Sequence, residues 1–166
     1  MKMRKFLALF FLPLLAFATV SDWETLQIDS RTSISFPLTP EKTRDNMWSI
    51  VSGNAKYMMR IEDLEKRGVD SASLASIVRQ PNVLDAFSKG FLTDEGSSIL
   101  SKKISTWNGY TVFDYVFNPG KNSQYQKLYA KLIFVGVKTY APAVFVNDEK
   151  LSQGNREKFF NSFRLN

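Results

Sequence analysis

Apolar and polar positions between residues 99 and 146 follow the two-residue period of β-strands, interrupted by turn-forming residues at three places. Trp107-Asn108-Gly109-Tyr110 supplies the first turn. Asn-Gly is the preferred pair of a type I′ hairpin, because both central residues must take positive φ. Val135-Gly136-Val137-Lys138 offers a second tight turn, with glycine first as type II′ requires. Between them, Asn118-Pro119-Gly120-Lys121-Asn122-Ser123 is a longer loop. The spans 110–117, 127–135 and 138–146 are rich in β-branched and aromatic residues. This stretch predicts four antiparallel strands joined in series.

Upstream, residues 23–28 form a short strand anchored by Trp23. Thr32-Ser33-Ile34-Ser35-Phe36 alternates, with Ile34 and Phe36 facing inward and Pro37 and Pro40 ending the strand. Residues 43–51 and 55–64 read as a hairpin about Ser52-Gly53-Asn54-Ala55, which places Trp48 opposite Met59 and Ile50 opposite Tyr57. Helical periodicity begins near Asp70, with Asp70 or Ser71 as cap and Leu74, Ile77 and Val78 as the apolar stripe. Pro81 divides this region into one helix ending near Arg79 and another over 82–91, with Val83, Leu84, Phe87 and Phe91 on its buried face. A last helix over 151–162, capped by Asn147 or Asp148, docks through Phe159, Phe160 and Phe163. Strands, then helices, then a meander and a helix predict an α+β fold with a largely antiparallel sheet.

The two tight turns fix the register of the meander. Ile104 faces Phe113, Lys103 faces Asp114, and Ile133 faces Tyr140. Pairing Phe117 with Leu128 then puts Phe113 beside Leu132 and Asp114 beside Lys131. One face carries Leu100, Ile104, Phe113, Phe117, Leu128, Leu132, Phe134 and Phe145. The other carries Val112, Val116, Tyr129, Ile133, Tyr140 and Val144. Both faces are too apolar to remain wet, so both require a covering layer. Pro142 lacks a ladder donor, which places it at an edge or a bulge.

Composition adds a compartment. Met1-Lys2-Met3-Arg4-Lys5 is a basic segment, residues 6–15 are apolar but short for a bilayer, and Ala16-Phe17-Ala18 fits the small-x-small cleavage rule. The expectation is a signal peptide over 1–18, one domain over 19–166, and a periplasmic or secreted protein with no stable membrane insertion after cleavage. Removing Lys2, Arg4 and Lys5 changes the balance from 22 basic against 16 acidic residues to 19 against 16, which lowers the net charge from +6 to +3. So mild a basic excess is no footprint for nucleic acid. The chain has no Cys, so disulfides cannot hold it together and thiol chemistry is excluded.

The chemistry-bearing motifs are few. With no His, the Ser-His-Asp triad, the commonest general base and ordinary His-containing zinc sites are removed. No Ser has a Lys three residues later, and no Gly-x-Ser-x-Gly, phosphate loop or Gly-x-Gly-x-x-Gly occurs. Glu62-Asp63 diverge to opposite faces of a strand, a poor carboxylate pair, and Asp94-Glu95-Gly96 lacks the alternating oxygens of a calcium loop. No cofactor or metal is expected. The register does place Asp114 between Lys103 and Lys131, on one face of three strands. That grouping reads either as a receptor for an anionic or zwitterionic ligand or as a cross-strand charge ladder. Trp107 and Tyr110 flank the Asn-Gly turn and, with Trp48, are either a contact surface or hairpin-stabilising aromatics.

The order of parts resembles the secreted bacterial PsbP/Mog1-like family, including its DcrB-like members. The resemblance rests on Ile34-Ser35-Phe36-Pro37, on Tyr57-Met58-Met59-Arg60-Ile61 before the helices, on Asn108-Gly109-Tyr110, and on the closing Phe159-Phe160-Asn161-Ser162-Phe163-Arg164-Leu165. It implies an α/β/α sandwich with a central, mostly antiparallel sheet, and proteins that bind or assemble without catalysis. Relatives of that fold include a photosystem II extrinsic subunit and a GTPase-binding import factor, so the fold does not name a partner. The leading expectation is a non-catalytic binding or assembly protein of the cell envelope whose partner is another envelope or secreted protein. A small-ligand site over Lys103, Asp114 and Lys131 is the alternative, and a carboxylate-based hydrolase is a third.

Overall fold

The computed structural model describes residues 23–92 and 94–166; the expected signal peptide and its cleavage point lie outside them. Among the described residues, ten strands and three α-helices follow in order: β1 (Glu24–Gln27), β2 (Thr32–Phe36), β3 (Glu41–Arg44), β4 (Met47–Ser52), β5 (Ala55–Asp63), α1 (Ser71–Ile77), α2 (Pro81–Lys89), β6 (Ser98–Trp107), β7 (Tyr110–Asn118), β8 (Lys127–Val135), β9 (Lys138–Val146), α3 (Glu149–Asn161) and β10 (Arg164–Leu165). The main sheet has seven antiparallel strands in the order β3-β4-β5-β9-β8-β7-β6.

The turn chemistry sets the register as expected. Asn108 and Gly109 have φ of 48° and 83°, and Gly136 has φ of 60°. Lys103 pairs with Asp114, Ile104 with Phe113, Asp114 with Lys131, Phe117 with Leu128 and Ile133 with Tyr140. Trp48 lies opposite Met59 and Ile50 opposite Tyr57. Asp70 caps α1 by accepting from Ser73 N at 2.9 Å, Pro81 opens α2 at a first-turn position where no N–H is missed, and Asp148 caps α3 through Lys150 N and Leu151 N.

Both faces of the sheet are covered, by different means. Leu74 of α1, Val78 just after it and Leu84 of α2 pack on Phe113, Tyr115, Phe117, Leu132 and Phe134. On the opposite face, Phe159 and Phe163, from α3 and the turn after it, join Tyr57, Met59, Val112, Ile133 and Val144. That side also holds a separate three-stranded sheet, β1-β2-β10, which carries Ile34 and Phe36 into the same core. The α/β/α expectation left this sheet out, because its third strand, Arg164–Leu165, is two residues long and pairs with β2 from the far end of the chain.

Three local expectations need correction. Residues 43–51 are not one strand: β3 turns back at Asp45-Asn46 and pairs with β4. Leu100 does not face the core, because a register shift between Ile99 and Ser101 leaves it 53% exposed and puts Ile99 on the core instead. Pro142 sits in an inner strand rather than at an edge. Pairing of β8 with β9 stops at Ala130–Ala143 and resumes at Ile133–Tyr140, so the ladder is interrupted where the proline has no N–H to give.

Two contacts tie the layers together. Phe159 is fully buried, edge-on to Phe36 at 5.2 Å and Tyr57 at 5.3 Å. The Tyr140 hydroxyl donates to Asp29 Oδ2 at 2.7 Å, linking the main sheet to the β1–β2 turn. Burial alone would push the Asp29 carboxyl up; the hydrogen bonds from Tyr140 and Arg31 N, helped by the Lys138 charge, hold it below the usual carboxylate range. Phe159→Ala is expected to cost about 3–5 kcal/mol in urea unfolding, the range for emptying a buried aromatic site. Tyr140→Phe is expected to cost about 1 kcal/mol at neutral pH. Because the folded carboxyl is depressed, its contribution is full above the ordinary Asp value and is lost as pH falls through the folded one. The deficit of Tyr140→Phe should therefore vanish in unfolding curves taken in strong acid.

Candidate functional site

The paired register brings Asp114 of β7 and Lys131 of β8 onto the face covered by α3. Lys131 Nζ meets Asp114 Oδ1 at 2.5 Å, and the Ser105 hydroxyl of β6 donates to Oδ2 at 2.5 Å. The Lys131 ammonium also lies 5.5 Å from the centroid of the Phe160 ring. Lys103, although opposite Asp114 in the ladder, is exposed and makes no ion pair with it. The third member of the group is therefore Ser105, diagonal to Asp114 rather than opposite it. A short hydroxyl reaches where a long edge-strand ammonium extends to solvent. The adjoining cavity, lined by Ser105, Trp107, Lys131, Phe160 and Phe163, measures about 130 Å³. That is below the ~300 Å³ at which small-molecule sites begin.

Trp107 and Tyr110 flank the hairpin turn with ring centroids 6.5 Å apart, and Trp107 packs edge-on to Phe163 at 5.2 Å. Both are half-buried against the α3-side core. Trp48 stands at the opposite, β3–β4 end of the sheet. Lys42 Nζ is 5.9 Å from its ring centroid. Trp48 lines a groove of about 580 Å³ together with the apolar Ile28 and Ile61 and the charged Asp45, Glu62, Lys66 and Arg67.

The residues singled out from sequence did not include a second cleft, on the α1/α2 face. α2 lies over the β6–β8 half of the sheet, where the Tyr115 hydroxyl donates to Leu84 O at 2.6 Å. Burial and the nearby Asp85 charge push the Tyr115 hydroxyl well above the usual phenol range, so it stays a donor. Beyond α2, Arg60 and Glu62 of β5 and Arg67 of the turn after it face an opening of about 440 Å³. Arg60-x-Glu62 was readable as one strand face from the two-residue period; the cleft beside it was not.

Three carboxylates next to these cavities are engaged. Asp114 holds Lys131 and Ser105, Glu62 holds Arg60 and Arg67, and Asp63 accepts from Glu65 N. At the start of α3, hydrogen bonds from Lys127 and Tyr129 keep the Glu149 carboxyl below its ordinary value. Among the described residues no three of His, Cys, Asp and Glu gather as a metal-binding group. No helix among the described residues is long and apolar enough to cross a membrane.

Comparison with known proteins bears on the fold. The solution structure of cyanobacterial PsbP (CyanoP) from Synechocystis sp. PCC 6803 matches with a TM-score of 0.51 and 10% identity, over 90% of this chain and 96% of that one. The Ran-binding protein Mog1p of Saccharomyces cerevisiae matches with a TM-score of 0.49 and 10% identity, over 87% and 96%. No family model and no curated protein matches the chain. Seven antiparallel strands covered by α1 and α2 on one face and α3 on the other are thus a PsbP/Mog1-like α+β fold.

Proposed function

We propose that this chain is a non-catalytic binding or assembly protein of the cell envelope, periplasmic or secreted, that engages another protein through the Trp48 end of the sheet. The observation that carries this reading is the groove around Trp48. A half-buried indole and two aliphatic side chains line it together with residues of both charges. Binding interfaces combine the same elements, an aromatic anchor with arginine and polar groups around it. The absence of His and Cys from the sequence supports a role without catalysis, since it removes the commonest general base and the thiol nucleophile. The basic segment, short apolar run and Ala-x-Ala of residues 1–18 support the compartment.

The test is a cross-linking pull-down with residues 19–166 from the source organism's envelope fraction, read by mass spectrometry. One partner is expected, with recovery falling about tenfold or more for Trp48→Ala at a temperature where circular dichroism shows the variant folded. The same partner recovered equally by Trp48→Ala, or no partner at all, would contradict the proposal. Asp114→Asn serves as the contrasting variant. Loss of the ion pair with the partly exposed Lys131 is expected to lower stability by about 1 kcal/mol in urea unfolding and to leave partner recovery unchanged.

A further inference from the structure

The cleft beside α2 shares Glu62 and Arg67 with the Trp48 groove, but Arg60 and its aromatic wall are features that the Trp48 reading does not use. Its floor is the sheet, through Leu132, Thr139 and Ala141, and one wall is formed by Phe87 of α2 and by Gly90 and Phe91 just after it. The opposite wall is charged. Arg60 and Arg67 both approach Glu62, and both do so through Nη2 onto the same oxygen, Oε1. Neither guanidinium is paired in the two-pronged way that would occupy its fork. Two cations on one carboxylate leave an excess of one positive charge beside an aromatic wall. The Glu62 side chain is 19% exposed, whereas those of Arg60 and Arg67 are 43% and 63% exposed, so the acid is enclosed while the cations remain reachable. Asp85 of α2 is paired with Lys102 and does not neutralise them.

We infer that this cleft binds a small amphipathic monoanion: a carboxylate carried on an apolar body, the head taken by Arg60 and Arg67 and the body laid along Phe87 and Phe91. Its volume of about 440 Å³ lies within the ~300–1,000 Å³ of small-molecule sites. Guanidinium forks match a carboxylate in plane and spacing, and Glu62 holds the two cations in place against their mutual repulsion. Gly90 keeps the wall open. Its φ of −66° suits any residue, and an added Cβ would meet only Phe87 O, at 3.4 Å, so its lack of a side chain serves space rather than conformation.

Octanoate is the probe and octanol its uncharged counterpart, with binding to residues 19–166 read by isothermal titration calorimetry. Octanoate is expected to bind one-to-one and octanol at least about tenfold more weakly, since the head carries the electrostatic part. Gly90→Leu, which fills the cleft, should abolish octanoate binding at an unchanged melting temperature. Arg60→Gln should weaken it about tenfold and supplies the test alone if Gly90→Leu proves unstable. Trp48→Ala should bind octanoate like the parent, which separates this inference from the protein-partner reading. No octanoate binding at millimolar concentration, equal binding of octanol, or full binding by a folded Gly90→Leu and by Arg60→Gln would overturn it.

Discussion

Strands β7, β8 and β9 bury side chains on both faces, and this requirement shapes the rest of the chain. Phe113, Tyr115, Phe117, Leu132 and Phe134 point one way, and Val112, Ile133, Tyr140 and Val144 the other. At roughly 25 cal/mol per Å² of apolar surface, neither set can be left in water, so each needs its own layer. α1 and α2 supply one. α3, its following turn and the small β1-β2-β10 sheet supply the other, with Phe159 and Phe163 as the principal contacts. The layers are unequal in reach. α2 is only nine residues long and lies over the β6–β8 half of the sheet, and a cleft floored by Leu132, Thr139 and Ala141 lies beside it. This is the Arg60 cleft, and Tyr115 keeps α2 where it is by binding Leu84 O.

The pattern of ion pairs follows burial. The Asp114 side chain is only 15% exposed, and it is met on both oxygens, by Lys131 and Ser105. A carboxylate removed from water must find such partners or be protonated. Glu62 has the same need and meets it with two arginines on one oxygen, which satisfies the acid and leaves the bases underused. The two groups thus have opposite surpluses. At Asp114 the acid's acceptors are taken and the pairing is internal. At Glu62 the donors outnumber the acceptors and face an open cleft.

Much of the fold was legible because its turns are short and chemically specific. Asn108-Gly109 and Gly136 fix strand register at two points, and a two-residue period carries that register along each strand. What was not legible was either non-local or a local departure from the period. The Ile99–Ser101 shift turns Leu100 outward without changing the composition that places it in a strand. β10 pairs with β2 from more than a hundred residues away, and nothing in Arg164-Leu165 announces it. For the site, register placed Lys103, Asp114 and Lys131 on one face correctly, but a shared face is not contact. Lys103 lies on the edge strand β6, where its flexible stem favours solvent, and Ser105 took the position. The cleft depends on where α2 stops over the sheet, a tertiary fact that no single strand encodes.

Amide hydrogen exchange on residues 19–166 tests the central claim, that the doubly buried strands hold the fold and the covering helices are unequal. Slowest exchange is expected in β7, β8, β9 and the adjoining part of β5, whose amides should open only with global unfolding. Faster exchange is expected in the edge strands β3 and β6 and in the short helices α1 and α2. Protection in α1 and α2 equal to that of β8, or rapid exchange throughout β7–β9, would contradict a fold organised around a sheet buried on both faces.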